Sequence, residues 1–294
     1  MQKFFRYCDK HIKVILILPA AVILLGLFIY PFFYNLKISF EDITFMNIRT
    51  GKTNFVGLKN YLYVFKDLFI QQSVWRTLKF AVITVIIQLV LGLGMALAFN
   101  TDFKGKGMMM PFALSPMMIT PVAVGLFWRI LMNSRWGVLN YLLNAFGLKG
   151  LDWLSNSQTA FWSIIIVQVW WGVPFVFLII LGGLSALPKE PYESAELEGA
   201  TTFQVFRFIT LPLLRPVLTA VGVLRVIDAL REFDIIYMLT GGGPGSSTRV
   251  FTLELYLAAF ERGNYSVAAA MSIILLLLIF LLTVGMMKAL QKSE

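Results

Sequence analysis

The sequence predicts an all-α, polytopic membrane protein with six transmembrane helices. Three observations predict it. The chain has 294 residues, 58% of them hydrophobic, and a mean hydropathy of +0.77, more apolar surface than a soluble domain of this length needs. Six stretches reach the roughly 20 mainly apolar residues that cross a hydrocarbon core. A backbone in lipid must satisfy its own hydrogen bonds, and stretches of this length do so as helices.

The first expected span, Val14–Tyr34, follows a basic stretch with Lys3, Arg6, Lys10 and Lys13. Its apolar run is too long for a signal-peptide core and no small-residue cleavage site follows, so it reads as an uncleaved span. Residues 35–76 form the longest loop. Phe40, Phe45, Phe55, Tyr61 and Phe65 suit a small folded cap on the outer side. Leu78–Phe99 is the second span. Its Gly92-x-Gly94 opens like a dinucleotide fingerprint, but Leu97 stands where a third small residue belongs. Close helix packing through Gly92, Gly94, Ala96 and Ala98 is expected instead.

Asn100–Gly107 is a tight basic turn, and Met109–Met132 is the third span. In Asn133–Thr159, Trp136, Tyr141 and Trp153 suit short amphipathic helices at the membrane interface. Phe161–Leu184 is the fourth span. There Trp170-Trp171-Gly172 and Pro174 predict a kink or local unwinding, with Gln168 as a polar neighbour. Two readings stay open: a packing kink, or the wall of a transport path on which Trp171 and Phe175 present ring faces.

A polar island, 187–216, separates this span from the fifth. Pro188 and Pro191 suit a helix start, with Glu190 and Glu193 near its positive end. Gly199 suits the left-handed residue past a helix end, and Thr201 with Gln204 matches a capping box for a second helix. The fifth span, Leu213–Leu239, carries Arg225, Asp228, Arg231, Glu232 and Asp234. Charges at membrane depth face a protein interior or a wet cavity. Arg225, Asp228 and Glu232 share a helical face, and Arg231 is spaced to pair with Asp228. A self-neutralising network and a polar lining for a hydroxylated solute both fit. The Gly-rich stretch after Leu239 lacks the Lys of a phosphate-binding loop. Ser266–Leu290 is the sixth span.

The formal charge of +9 is spread over termini and loops, which points to the headgroups of a lipid bilayer and not to nucleic acid. The single Cys8 and single His11 exclude an internal disulfide, a cysteine cluster and a His-rich metal site. No catalytic residue, metal or cofactor is expected in this chain. Six spans put both termini on one side, and the density of basic residues favours the cytoplasm.

Glu193-Ser194-Ala195, Gly199 and Ile209-Thr210-Leu211-Pro212 are similar, spacing for spacing, to the EAA loop of permease subunits of binding-protein-dependent ABC importers. Ser194 for the first alanine is the one departure. Phe233-Asp234-x-x-Tyr237 followed by Thr240-Gly-Gly-Gly-Pro244 resembles the maltose-permease-like branch of sugar permeases, as does Arg225-x-x-Asp228-Ala-Leu-Arg231. The resemblance implies an ABC importer permease fold over 1–294. It implies a cytoplasmic coupling loop at 187–216 and a carbohydrate substrate. Its partners would be a second homologous permease subunit, an ATPase dimer that binds ATP and Mg, and an extracytoplasmic solute-binding protein in a cell inner membrane. Glu193, Ser194, Ala195, Leu197 and Gly199 would dock on the ATPase, Ala195 and Leu197 supplying the apolar face. Gln168, Trp171, Gly172, Phe175, Arg225, Asp228, Arg231 and Glu232 are the candidates for the substrate path. Two rivals remain: a permease for a non-sugar solute such as glycerol phosphate or a polyamine, with Arg225 and Arg231 keeping an anionic solute open, and an ion-coupled secondary transporter using Asp228 and Glu232.

Overall fold

The apolar runs fold as helices, but not all as unbroken ones. A computed structural model describes residues 17–51 and 53–291. Lys3, Arg6, Cys8, Lys10, His11, Lys13, Lys52, Lys292 and the first residues of Val14–Tyr34 lie outside the described residues. In chain order the helices are α1 Ile17–Ser39, α2 Phe45–Ile48, α3 Lys59–Lys66, α4 Leu68–Asn100, α5 Lys106–Leu114, α6 Pro121–Leu131, α7 Val138–Ala145, α8 Ser157–Ser185, α9 Glu190–Leu197, α10 Thr202–Val205, α11 Leu211–Leu230, α12 Asp234–Thr240, α13 Phe251–Tyr256 and α14 Tyr265–Gln291.

Among the described residues four helices are long and apolar enough to cross a membrane: α1, α4, α8 and α14 through Lys288. The third expected span is a bent pair. Lys106–Met118 and Pro121–Leu131 meet at 99°. The cause is proline. Pro111 lies inside α5, Pro116 sits in a 3₁₀ turn, Ser115–Met118, and Pro121 starts α6 after an extended Thr120. The fifth expected span is also interrupted: α11 stops at Leu230, Arg231–Phe233 turn, and α12 restarts at Asp234. Two π turns have one sequence logic. Leu25–Ile29 ends two residues before Pro31, and Phe206–Thr210 ends two residues before Pro212. Each proline deprives the carbonyl four residues back of its donor, and the helix slips by one residue to wider bonding.

The chain divides into two compact units. The first holds residues to Leu68 and Leu255–Leu277. Its α1 exposes Ile17, Leu27, Phe28, Tyr30 and Phe33 alike, as a lipid-facing helix does. Within 35–76, where a folded cap is expected, α1 runs on to Ser39 and α4 begins at Leu68, and the chain between them is held by local bonds. Asn60 Nδ2 donates to the carbonyls of Ser39 and Glu41, both at 2.8 Å. Phe40 packs on Phe55 and Tyr61, and the Ile43 N–H donates to Ser266 Oγ at 2.7 Å.

The second unit holds Phe69–Glu254 and the chain from Leu278. Its core is formed by α4, α8 and α11: Ala96, Phe99, Val176, Phe177, Ile180, Leu184, Leu214 and Val221. Gly92 allows the approach, since a Cβ there would lie 2.6 Å from Val176 Cγ1. Gly94 and Ala98, expected to share that packing, are on the exposed side of α4. α8 runs unbroken through Pro174, so the local unwinding expected there does not occur. A second contact joins α6 to α12, where a Cβ on Gly125 would meet Met238 Cβ at 2.6 Å.

Candidate functional site

Two parts of the second unit carry the residues singled out from sequence. The first is the polar elbow between α8 and α11. Pro191 and the acidic Glu190 and Glu193 occupy the first turn of α9, where a missing N–H costs little and negative charge meets the helix dipole. Gly199 ends the helix at φ +72°. The Ala200 N–H donates to Ala195 O at 2.9 Å and the Gly199 N–H to Glu196 O at 3.1 Å, the paired bonds of a Schellman end. Thr201 and Gln204 then form the expected reciprocal cap of α10. Tyr192 Oη donates to Thr210 Oγ1 at 3.2 Å and ties the two arms together, beside a cavity of about 320 Å³.

Glu193, Ser194 and Gly199 face solvent. Ala195 and Leu197 do not share a face. Ala195 is buried within the elbow, whereas Leu197 is 90% exposed. Residues two apart on a helix point about 200° away from each other, so the apolar pair expected from sequence is split. The outward apolar groups are Leu197, Phe203 and Phe208.

The second part is a buried polar cluster where α4, α8 and α11 meet. Arg225 is 3% exposed. Its Nε donates to Gln88 Oε1 at 2.9 Å and its Nη1 to Asp228 Oδ2 at 3.2 Å. Gln88 Nε2 in turn donates to the Gln168 carbonyl at 2.8 Å. Gly172 makes room for this: a Cβ there would sit 2.3 Å from Gln88 Nε2 and 2.5 Å from Arg225 Nη2. The guanidinium carbon lies 5.9 Å from the Trp171 ring centre and 5.8 Å from that of Phe175, within cation–π range. The ring faces expected to line a path are therefore turned toward Arg225. A buried charge held by hydrogen bonds and an ion pair is costly to break from one side.

The expected pairing of Arg231 with Asp228 does not form. Arg231 follows the last residue of α11 and is exposed; Arg225 is the ion-pair partner of Asp228. Asp228 remains half-exposed, with 51% of its side chain accessible. Glu232 lies in the turn after α11, so it does not continue that helical face. Its Oε1 accepts the Ile235 N–H at 3.1 Å and so caps α12.

Sequence reasoning missed two members of the cluster. Gln88 was read as part of an apolar span, although a lone amide in such a run is itself a signal. The Ile119 carbonyl, bared at the break between the third segment's two halves, accepts Trp171 Nε1–H at 3.0 Å. The Gly-rich turn closes on itself through Thr248: its hydroxyl meets Thr240 Oγ1 at 2.7 Å and donates to Gly243 O at 2.9 Å.

Comparisons with known proteins agree with this geometry. Residues 88–293 match the family described as binding-protein-dependent transport system inner membrane component. The chain is 36% identical over 284 residues to the trehalose/maltose transport system permease protein MalF of Thermococcus litoralis, covering 96% of this chain and 95% of that protein. It is 35% identical over 250 residues to the sulfoquinovosyl glycerol transport system permease protein SmoG of Agrobacterium fabrum, covering 85% and 80%. Among solved structures, a chain of a bacterial ABC transporter involved in import of the acidic polysaccharide alginate superposes with a TM-score of 0.84 at 19% identity, covering 99% of both chains.

Proposed function

The chain belongs to the family of binding-protein-dependent transport system inner membrane components, and on that premise we propose that it is one of two permease subunits of an ATP-driven carbohydrate importer. It is a membrane-spanning transport component. The carrying observation is the elbow: a capped helix–turn–helix that presents Glu193 and an uncovered Leu197 to solvent. An exposed apolar knob ringed by carboxylates suits a partner subunit, and here that partner is the ATPase dimer. The elbow then faces the cytoplasm, as do both termini, and residues 35–76 lie on the outer side with the solute-binding protein. Closure of the ATPases pushes on α9. The elbow's arms pass the motion to α8 and α11, which carry the polar cluster, and the pathway alternates between outward and inward access.

A carbohydrate is favoured by the similarity to trehalose/maltose and sulfoquinovosyl glycerol permeases and by the half-exposed Asp228. One of its oxygens is tied to Arg225 and the other is free to accept a hydroxyl, which replaces bonds the sugar loses with its water. Arg225 is buried and already engaged by Gln88 and Asp228, which weakens the case for an anionic solute held there. The chain's role is transport, with ATP and Mg held by the partner subunits.

The test is uptake by proteoliposomes holding the full assembly and a sugar-loaded binding protein. ATP-dependent accumulation of trehalose or maltose is the expected result. Uptake by the isolated chain, driven by an ion gradient without ATP, would sink the proposal.

A further inference from the structure

The segment between α6 and α8 forms a polar bowl of about 270 Å³, lined by none of the candidate path residues. The bowl precedes α8 and the elbow follows it. α8 has 29 residues, about 43 Å of helix, so the bowl lies one membrane crossing away from the elbow. Its floor is built in advance. Asn140 is 6% exposed. Its Nδ2 donates to the carbonyls of Ser134 and Leu151 at 3.1 and 2.9 Å. Its Oδ1 accepts the Leu151 N–H at 3.0 Å and the Trp153 indole at 2.8 Å. At the rim, Asn133 Oδ1 accepts the N–H groups of Arg135 and Trp136 at 3.0 and 3.3 Å, which fixes where both side chains leave the backbone.

Above this floor, Trp136 and Tyr141 are 65% and 73% exposed. Arg135, Asn144 and Asp152 also line the bowl. Among the described residues their side chains make no ion pair or hydrogen bond with one another or with neighbours. Aromatics at a membrane interface need only an apolar side and a wet side. They do not need a four-bonded amide in the same cavity wall, or an unpaired guanidinium and carboxylate lining that cavity with them. A few convergent polar groups beside aromatic faces make a small-molecule site, and the volume of about 270 Å³ falls just below the ~300–1,000 Å³ of pockets for drug-sized ligands, a size for one small ring.

We propose that this bowl takes a single sugar ring. Trp136 or Tyr141 covers the ring's apolar face, while Arg135, Asn144 and Asp152 exchange hydrogen bonds with its hydroxyls. It is a contact point for a neutral saccharide on the face opposite the elbow, separate from the cluster around Arg225. The inference rests on the carbohydrate reading above and deepens it.

The full chain in lipid nanodiscs, without binding protein, is titrated with methyl α-glucoside, maltose and trehalose and followed by saturation-transfer NMR. Saturable binding in the millimolar range is expected, weakened at least tenfold in Trp136→Ala and in Asp152→Ala and unchanged in Lys104→Ala, an exposed residue outside the bowl. Both bowl side chains are exposed, and thermal unfolding of each variant verifies that the fold is intact. The proposal is overturned if none of the three sugars saturates the wild-type chain, or if only Asp228→Ala reduces binding. It is equally overturned if Trp136→Ala impairs capture of the binding protein while sugar binding is absent. Uptake by the full assembly is measured in parallel. Sugar transport with no sugar on the bowl removes this inference alone. Sugar on the bowl with no sugar transport supports it and removes the carbohydrate importer instead.

Discussion

The elbow at 187–210 and the cluster around Arg225 are built on opposite principles. The elbow is local. Its cap, its left-handed glycine and its acidic first turn all lie within some twenty residues, and its outward surface is incomplete, with Leu197 90% exposed. The cluster is non-local. Arg225 reaches Gln88, 137 positions away in sequence, and its surroundings are closed except at Asp228. An element meant to meet another chain keeps its folding requirements to itself and leaves its contacts open. An element that joins three helices spends its contacts inside the chain. Damage to the cluster should therefore appear as lost stability, and damage to the elbow as lost work.

Four substitutions break or sharpen that contrast. Arg225→Ala leaves the buried Gln88 Oε1 without its donor, which costs about 1–3 kcal/mol, and removes the guanidinium stem packed beside Trp171 and Phe175; the two together are expected to give the largest drop in unfolding temperature in detergent, and an unchanged temperature would mean that the cluster holds nothing together. Gly172→Ala puts a methyl group where Gln88 Nε2 would be 2.3 Å away and should cost about 1–3 kcal/mol by overpacking. Glu193→Lys should leave the unfolding temperature within about 0.5 kcal/mol of wild type, as an exposed site does. It should also lower uptake by the assembled importer at least tenfold, about 1.4 kcal/mol. Normal uptake by a fully assembled Glu193→Lys importer would remove the coupling role. Thr201→Val deletes one cap and should cost about 1 kcal/mol locally, seen as faster hydrogen exchange in α10 with α8 and α11 unaffected.

The same division explains what was legible in the sequence. The capping box at Thr201–Gln204, the role of Gly199 and the helical nature of every long apolar run depend on neighbours a few residues apart, so pattern and composition reveal them. The packing of Gly92 depends on Val176, and the turn of Trp171 toward Arg225 depends on which faces of α8 and α11 meet. Spacing within one helix paired Asp228 with Arg231. The helix ends at Leu230, and that choice went instead to Arg225, one turn back. The right-angle break in the third segment was legible in principle. Prolines at 111, 116 and 121 recur every five residues, but hydropathy alone averaged over them.

That break also bears on how the chain is made. Lys106–Met118 and Pro121–Leu131 contain 13 and 11 residues, about 20 and 17 Å at helical rise, and neither alone reaches across a ~30 Å hydrocarbon layer. An insertion machinery that releases segments one at a time into lipid would leave the Ile119 carbonyl bare. Its donor, the indole of Trp171, is synthesised 52 residues later. The third segment must therefore wait in the translocation channel, or against α4, until α8 has emerged.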